Sequence, residues 1–215
     1  MKKFILLTIG LATVFAGCKK SKDVGPQPEK DYGAVIKDKT WTGEFTYAGQ
    51  PKGYYSVQFN ADNTSVWSEA GGNYTGGTWA LNGKQLSIIQ TAFIQSKGDI
   101  SDDNQLINIS NTSASLTLNS GQLNTNANMV LDNTLWKGTI ADATNVLTPI
   151  SFAFASGLKL TVTSSAGVII KVYERGGASV RFKDPGVTSF GVITPDGKQI
   201  RGVSSNHAQW QLTKQ

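Results

Sequence analysis

Apolar and polar residues alternate with a period of two along most of the chain after residue 40. In TWTGEFTY the side chains of Trp41, Gly43, Phe45 and Tyr47 share one face, and YYSVQF repeats this pattern. Turn-forming residues interrupt the alternation about every ten residues, as expected for a chain of short strands. Few stretches have the period of an amphipathic helix. The pattern therefore predicts an all-β protein of antiparallel strands, built as a sandwich or a barrel.

The same alternation extends to the C-terminus. Two dipeptides, Asn82-Gly83 and Asp196-Gly197, predict hairpin turns because their residues accept positive φ angles. Apolar residues predicted to face the core are Tyr55, Val57, Phe59, Trp79, Leu81, Leu86, Ile88, Ile107, Ile109, Leu116, Leu118, Trp136, Ile140, Ile150, Phe152, Phe154, Leu158, Leu160, Val162, Val168, Ile170, Val172, Val180, Phe182, Ile200, Trp210 and Leu212.

The two halves of the chain resemble each other. Trp41-Thr42-Gly43 and Trp136-Lys137-Gly138 are separated by 95 residues, and so are Phe59 and Phe154. NGKQL at 82–86 also resembles DGKQI at 196–200, with a different separation of 114 residues. Such a repeat predicts two units of about seven or eight strands, each sufficient to close a small up-and-down barrel. One long sandwich is the alternative, because a period of two does not specify strand pairing.

The N-terminus has the pattern of a secretory signal. Lys2 and Lys3 precede an uncharged segment, Phe4 to Gly17, that ends in small residues. This segment is shorter than the roughly 20 residues of a membrane-spanning helix. Phe15-Ala16-Gly17-Cys18 resembles a bacterial lipobox, with phenylalanine where leucine is usual. That resemblance implies cleavage before Cys18, the only cysteine, and its lipid modification by diacylglycerol and palmitate-type chains.

These features predict the domain organisation and the location. Residues 1–17 are predicted to be the signal peptide, and residues 18–39 a lipidated cysteine followed by a disordered, charged tether. Residues 40–125 and 126–215 are predicted to form the two barrel-like domains, with the boundary in the Asn-rich segment QLNTNANM. The chain is therefore expected to be membrane-anchored in the cell envelope, at the outer membrane, with no oligomeric state predicted.

The distribution of charge argues against nucleic acid as a partner. The chain carries a net charge of +5, most of it in the signal and the tether, so no nucleic-acid surface is expected. The barrel halves differ, since residues 40–130 contain three lysines and six acids, and residues 131–215 nine basic residues and five acids. That asymmetry indicates either an interaction face or ordinary solubilising charge.

Three segments of the first half, TWTGEF, FNADNT and GGTWALNGKQLSI, resemble the small lipocalin-like domains of bacterial surface lipoproteins. The shared pattern is an opening Trp-x-Gly strand, a phenylalanine before an Asp/Asn turn, and a Gly-x-Trp strand before a hairpin. The resemblance covers residues 40–89, and the second half through WKGTI, SFAFASG and DGKQIRG. It implies two tandem lipocalin-like barrels and carries over no ligand residues.

Few residues in the sequence have the pattern of a catalytic or metal-binding site. His207, the only histidine, is interpreted as a loop or strand-end residue, and Glu44, Glu69 and Glu174 as residues of solvated strand faces rather than paired acids. Asp99, Ser101 and Asp103 alternate like the start of a calcium loop but lack its glycine and closing glutamate. No enzyme activity, metal or cofactor is predicted.

Binding is the function that the sequence favours. Tyr54, Trp67 and Tyr74 fall outside the main apolar alternation and are candidates to stack on a sugar or cover a lipid chain, or simply to pack between strands. A basic group, in which Lys171, Arg175, Arg181 and Arg201 are the site candidates, would meet an acidic glycan or lipid headgroup, or form a charged outer face.

Three functions follow from these candidates. A binding module for a small apolar ligand or a glycan predicts a pocket lined by aromatic residues. A protein-interaction or inhibitor lipoprotein predicts filled barrels and a functional outer patch. A hydrolase, the least supported of the three, predicts two carboxylates, or His207 and a partner, converging in one cleft.

Overall fold

The structure is a computed structural model, and it describes residues 30–91, 94–112, 115–141 and 144–215. Within these ranges, residues 31–215 form one compact unit. The predicted signal peptide, the predicted lipidation site Cys18 and most of the predicted tether lie outside the described residues.

The first eight strands form a closed antiparallel barrel in which each strand pairs with its sequence neighbours and β8 returns to β1. This first barrel consists of β1 (Lys39–Tyr47), β2 (Gly53–Phe59), β3 (Thr64–Glu69), β4 (Gly72–Asn82), β5 (Gln85–Thr91), β6 (Ile94–Ile100), β7 (Gln105–Asn111) and β8 (Leu116–Leu123).

Eight further strands form a second closed barrel of the same topology, closed by β16 pairing with β9. They are β9 (Thr134–Ala141), β10 (Leu147–Ala155), β11 (Lys159–Ser164), β12 (Gly167–Gly176), β13 (Ser179–Asp184), β14 (Val187–Ile193), β15 (Gln199–Ser204) and β16 (Gln209–Lys214). The predicted all-β fold with two tandem barrels is confirmed, and the alternative of one long sandwich is wrong.

One end of each barrel is closed by the chain segment that precedes its first strand. In the first barrel this segment is a short helix, α1 (Tyr32–Ile36), whose Ile36 is fully buried in the core. The Asp31 side chain caps α1 by accepting a hydrogen bond from the backbone N–H of Ala34 at 3.1 Å. The disordered tether predicted for residues 18–39 is therefore wrong over residues 31–39. The short amphipathic turn escaped the prediction because the flanking segment is strongly charged.

The second barrel repeats this arrangement at the predicted separation of 95 residues. Leu131 occupies the place of Ile36, and Trp136 that of Trp41; all four side chains are buried. Asp38 and Asn133, also 95 residues apart, both adopt positive φ, at 57° and 60°. The repeat is therefore present in the structure as well as in the sequence.

The predicted pairing of NGKQL with DGKQI is wrong as a repeat equivalence. Asn82-Gly83 lies between the fourth and fifth strands of its barrel, whereas Asp196-Gly197 lies between the sixth and seventh. Both hairpins form, with φ of 57° at Gly83 and 69° at Gly197. Asn82 itself stays in β4 with an ordinary φ, so the two-residue turn is Gly83-Lys84. The resemblance reflects similar turn chemistry rather than a shared position.

The glycine of each Trp-x-Gly motif lies on the seam where its barrel closes. A Cβ atom on Gly43 would lie 2.0 Å from the carbonyl oxygen of Ser120 on β8. A Cβ atom on Gly138 would lie 1.9 Å from the carbonyl oxygen of Gln211 on β16. Because both obstacles are backbone atoms, no side-chain rotation can relieve them. The motif therefore permits close approach between the first and last strands.

The face predicted for β12 is wrong. Val168, Ile170 and Val172 point outward and are 65–72% exposed, whereas Lys171 and Tyr173 are buried inside the barrel. A period of two fixes which residues share a face, but not which of the two faces is inside. Here the polar residue takes the interior position because Asp184 on β13 provides an ion-pair partner.

The two barrels pack side by side, with β2 of the first against β14 and β15 of the second. Tyr54, Phe190, Val192 and Val203 form a separate buried cluster at this contact. Asn124, in the segment between the barrels, donates a hydrogen bond to the carbonyl of Ile193 at 2.7 Å. Among the described residues no helix has the length and apolar character needed to cross a membrane.

Candidate functional site

The open end of the second barrel contains a cavity of about 250 Å³. The termini of the second-barrel strands form its walls. Leu131 closes the opposite end of the barrel. Most of the wall is apolar, and the polar groups are few. The lining residues are Ile140, Ile150, Phe152, Val162, Ser164, Ile169, Lys171, Phe182, Asp184, Val187, Ser189, Ser204, Asn206, Ala208 and Trp210.

Lys171 places a buried cation in this cavity. Its side chain is 4% exposed and forms an ion pair with the more exposed carboxylate of Asp184. The ammonium lies over the ring of Phe182, 5.9 Å from its centroid. Burial lowers the pKa of Lys171 below its usual value of 10.5. The site therefore holds an ammonium group in surroundings where a second anionic partner would be favourable.

Two hydroxyl groups add hydrogen-bonding capacity. Ser189 on β14 and Ser204 on β15 are buried, and their Oγ atoms lie 2.8 Å apart. Trp210, also in the wall, has a buried indole Nε1 without an acceptor among the described residues. Buried hydrogen-bond donors normally have an acceptor. These three groups therefore give the cavity more hydrogen-bonding capacity than a purely apolar core would have.

Taken together, these residues fit one type of ligand. The aromatic rings of Phe152, Phe182 and Trp210 offer an apolar contact surface, and Lys171 offers a single charge. Binding pockets of this kind combine apolar walls with a few placed polar groups. Because an eight-stranded barrel leaves little free interior, the ligand must be small. The arrangement suits a small molecule with an apolar body and one anionic group.

The first barrel is filled in a different way. Its interior contains three tryptophans, and Trp67 stacks on Tyr55 with ring centroids 4.2 Å apart. Phe59 makes edge contacts with both Trp41 and Trp79. The interior of the first barrel is therefore filled largely by its own aromatic side chains.

A second and larger cavity, of about 450 Å³, lies where the outside of the first barrel meets the second. Glu44, Tyr54 and Arg201 are part of its wall. Glu44 accepts a hydrogen bond from Lys52 at 3.1 Å, and the Arg201 guanidinium lies 3.8 Å from the other carboxylate oxygen. Two of the residues predicted to bind ligand, Tyr54 and Arg201, therefore meet here.

The aromatic candidates do not form one exposed platform. Tyr54 is 7% exposed in the contact between the barrels, and Trp67 is 5% exposed in the core of the first barrel. Exposed rings are wrong for these two, and the alternative that they pack against neighbouring strands is confirmed, because adjacent strands and the other barrel cover them. Tyr74 is 37% exposed and lies near Glu69.

The basic candidates also separate in space. Lys171 points into the second barrel, whereas Arg201 lies at the contact between the barrels. Arg175 donates hydrogen bonds to the carbonyls of Ala127, Met129 and Gly177, so it fixes the segment between the barrels. Arg181 forms an ion pair with Glu174 on the neighbouring strand. The four side chains therefore do not build a common anion-binding face.

The cavity of the second barrel is lined by three residues that the sequence did not indicate as site candidates. Asp184, Ser189 and Ser204 were not singled out, although Asp184 follows Phe182 on the inward side of β13. A continued alternation beyond Val180 and Phe182 would have placed this carboxylate inside. The two serines gave no comparable signal, because small polar residues are equally common on both faces of strands.

The residues considered for catalysis and metal binding, His207 and Asp99, lie in different barrels. His207 is exposed in the turn between β15 and β16, with φ of 67°. Asp99 accepts a hydrogen bond from Asn108 and lies 4.0 Å from Lys84. Within residues 30–91, 94–112, 115–141 and 144–215, no three His, Cys, Asp or Glu side chains are grouped to hold a metal ion.

Glu69 is a buried carboxyl, not part of a solvated face as predicted. It is 8% exposed, and burial raises its pKa above the usual 4.5 despite hydrogen bonds from Trp67 and Tyr74. Burial, helped by the nearby Glu69 charge, raises the pKa of Tyr47 to about 12. The carboxylate therefore destabilises the fold at neutral pH, and this penalty is lost as pH falls through the raised pKa.

We expect Glu69→Gln to be at least as stable as the native chain at neutral pH, because the buried charge is removed while an acceptor remains. The difference in the free energy of unfolding should shrink as pH is lowered, since Glu69 becomes neutral in the native chain. Urea denaturation across this pH range measures it. Glu174→Gln serves as the control of opposite sign, because its hydrogen bond from Arg181 lowers the pKa of Glu174. A constant difference between Glu69→Gln and the native chain would contradict the prediction.

The sequence matches no known protein-family model, and no curated protein matches it closely enough to be a relative. Function is therefore inferred from the geometry of the two cavities.

Proposed function

We propose that this protein is a non-catalytic, lipid-anchored binding protein of the cell envelope, and that it holds a small ligand in the second barrel. The ligand has an apolar body and one anionic group. The observation that carries the proposal is the buried Lys171 ammonium in an otherwise largely apolar cavity at an open barrel end. A buried ion pair often adds little net stability because both charges lose water, so its retention there favours a role in binding.

The remaining polar groups support the same assignment. Asp184 balances Lys171 but is 35% exposed at its side chain, so water can solvate it when a ligand carboxylate displaces it. One of the Ser189 and Ser204 hydroxyls donates to the other, which leaves the second hydroxyl to donate to a second ligand oxygen. Of the two ligand classes expected from the sequence, the apolar one therefore has better support than a glycan.

The anchor and the location are proposed from the N-terminal sequence. Phe15-Ala16-Gly17-Cys18 resembles a lipobox, and acyl chains on Cys18 would attach the mature protein to the outer membrane. The residues that follow Cys18 would then act as a spacer of up to about twelve residues before Asp31, where the compact unit begins.

A hydrolase has less support. One carboxylate, Asp184, is part of the cavity wall, and it is paired with a lysine. His207 lies in an exposed turn rather than in this wall. Within the part of the chain that the structure describes, the wall of this cavity thus lacks the converging pair that the hydrolase hypothesis requires.

Native mass spectrometry of the full chain, exported from a bacterial host and released from detergent micelles, tests the proposal. We expect a retained mass that denaturation releases and that fragments as a small acid with an apolar body. The denatured chain should begin at Cys18 and carry acyl chains. A bare chain that also fails to bind hexanoate or octanoate in calorimetry would overturn the ligand assignment. An unacylated chain would overturn the anchor separately.

A further inference from the structure

The open end of the second barrel exposes a group of apolar side chains. Two of them lie at the start of β10 and three near the start of β12, and each is 50–72% exposed. β11 pairs with both β10 and β12, so the two sets are close together on the same side of the barrel. A group of exposed apolar residues of this kind marks an interaction surface. We call it the apolar rim, and it consists of Val146, Leu147, Val168, Ile169 and Ile170.

The apolar rim borders the mouth of the cavity in the second barrel. Ile169 belongs to both, since it is half-exposed and also lines the cavity. Val168 and Ile170, on either side of it, point outward from the same strand. Whatever covers the apolar rim therefore also lies at the entrance of the cavity.

The first barrel leaves the apolar rim uncovered. β14 and β15 are the strands of the second barrel that pack against the first barrel. In a closed ring of eight strands, β10 lies opposite β14 and β11 lies opposite β15, and β12 is next to β11. The side of the barrel with the apolar rim therefore faces away from the first barrel, and it is available to a partner outside this chain.

The outer face next to the apolar rim is uncharged over three strands. The segments 144–158 and 160–170, which include β10 and most of β11, contain no charged residue. A groove of about 440 Å³ crosses this face, and Pro149, Thr163 and Ser165 are part of its wall. A surface without charges can be moved out of water at little electrostatic cost.

Positive charge surrounds this uncharged face. Lys137 is exposed and is the charged residue in the wall of the groove. Residues 131–215 contain nine basic residues and five acids, so the second barrel is positive as a whole. Anionic lipid headgroups attract lysine and arginine side chains close to a membrane surface. An apolar rim beside basic residues thus has the charge pattern of a surface that meets anionic lipid.

We propose that the apolar rim docks on the lipid surface of the membrane, so that the mouth of the cavity in the second barrel faces the bilayer. This inference rests on the proposed function, which places an acyl anchor at Cys18. Apolar side chains that enter the interface gain free energy in proportion to the area removed from water. A ligand with an apolar body and one anionic group is itself a membrane amphiphile, and it would enter the cavity from the lipid without crossing water.

The spacer after Cys18 is long enough for this orientation. Gln209, at the start of β16, donates a hydrogen bond to the carbonyl of Lys52 at 3.3 Å, in the turn between β1 and β2. The open ends of both barrels are therefore on one side, and α1 is on the other. Strands of 6 to 11 residues make each barrel about 30 Å tall. About twelve extended residues reach roughly 40 Å, so the spacer can run back along the first barrel to the membrane.

Fluorescence quenching by spin-labelled lipid tests the inference on the full, acylated chain. Cys18 is the only cysteine, and acylation of its sulfur leaves an introduced cysteine as the one free thiol that a fluorophore can label. Ile170→Cys places the label on the apolar rim. Ser156→Cys is the matched control, exposed in the turn between β10 and β11 at the closed end of the same barrel. Near-ultraviolet circular dichroism verifies that both labelled chains fold.

The labelled chains are reconstituted into vesicles of phosphatidylcholine with about one quarter phosphatidylglycerol, with and without a nitroxide on the acyl chains. The nitroxide should quench the label at residue 170 by at least about half and the label at residue 156 by less than about a tenth, because docking brings the rim about 5–10 Å into the interface. Adding Val168→Asp to the Ile170→Cys chain should reduce the quenching at least about twofold, since a carboxylate resists transfer out of water. Equal quenching at residues 170 and 156, or none at residue 170, would overturn the proposal.

Separate readouts distinguish this inference from the proposed function. Light scattering in detergent micelles gives the oligomeric state, and a dimer that Val168→Asp dissociates would assign the apolar rim to a second copy of this chain instead of lipid. Intact mass reports the acyl chains on Cys18, and calorimetry reports hexanoate binding; loss of either contradicts the anchor or the ligand alone. For an unacylated chain, quenching on vesicles added to the free chain decides whether the rim docks.

Discussion

Gly138→Ala is expected to destabilise the second barrel by about 3 kcal/mol, the upper part of the usual range for overpacking. The added methyl group would lie 1.9 Å from the carbonyl oxygen of Gln211 and 2.9 Å from the Cα atom of Leu212. Both obstacles are backbone atoms of β16, the strand that closes the barrel against β9. Relief would require the two strands to separate, which breaks the closing ladder.

Urea denaturation followed by near-ultraviolet circular dichroism measures this effect, because Trp136 and Trp210 lie in the affected core. Thr139→Ala on the same strand is the control, since residue 139 is exposed and should change stability by less than about 0.5 kcal/mol. Gly43→Ala should give a comparable loss in the first barrel, where the obstacle is the carbonyl of Ser120 at 2.0 Å. Native-like stability of Gly138→Ala would show that β9 and β16 can pair without the close backbone approach at residue 138.

These glycines illustrate what the sequence could predict. The Trp-x-Gly motif, repeated after 95 residues, indicated both the duplication and the opening strand of each barrel. Alternation of apolar residues predicted the fold class because it reports the pleat of a half-buried strand directly. Closure of the sheet could not be read from alternation, but the repeat of about eight strands made it the favoured arrangement.

The residues of the candidate site were harder to predict, for a physical reason. Lys171 was singled out as part of a charged outer group, yet it lies inside, while Val168, Ile170 and Val172 lie outside. Alternation does not decide which of the two faces of a strand is buried. The buried lysine is paired with Asp184 at the end of the next strand, and the sequence does not specify that pairing. The cavity of about 450 Å³ at the contact of the two barrels likewise depends on the second barrel, whose position the local sequence does not specify.

The buried position of Lys171 gives the prediction with the largest effect on function, under the proposed function. Lys171→Met is expected to weaken hexanoate binding about ten- to a hundredfold, because a hydrogen bond to a charged group contributes about 1.5–3 kcal/mol. Methionine keeps most of the volume of lysine, so the cavity wall is retained. The fold should tolerate the change, since the Asp184 side chain that is left without its partner is 35% exposed and can be solvated.

Isothermal titration calorimetry with hexanoate, and with hexanol as the uncharged analogue, measures this loss. Hexanol should bind the native chain and Lys171→Met about equally, because it makes only apolar contacts in both. Lys183→Met is the matched control, a lysine on β13 that is exposed outside the cavity. Hexanoate affinity of the native chain should also decline as pH rises through the pKa of Lys171, which burial lowers from 10.5, since the ammonium is then lost. If Lys171→Met and Lys183→Met bound hexanoate equally well, the cation would have no part in binding, and the ligand of the second barrel would have to be uncharged.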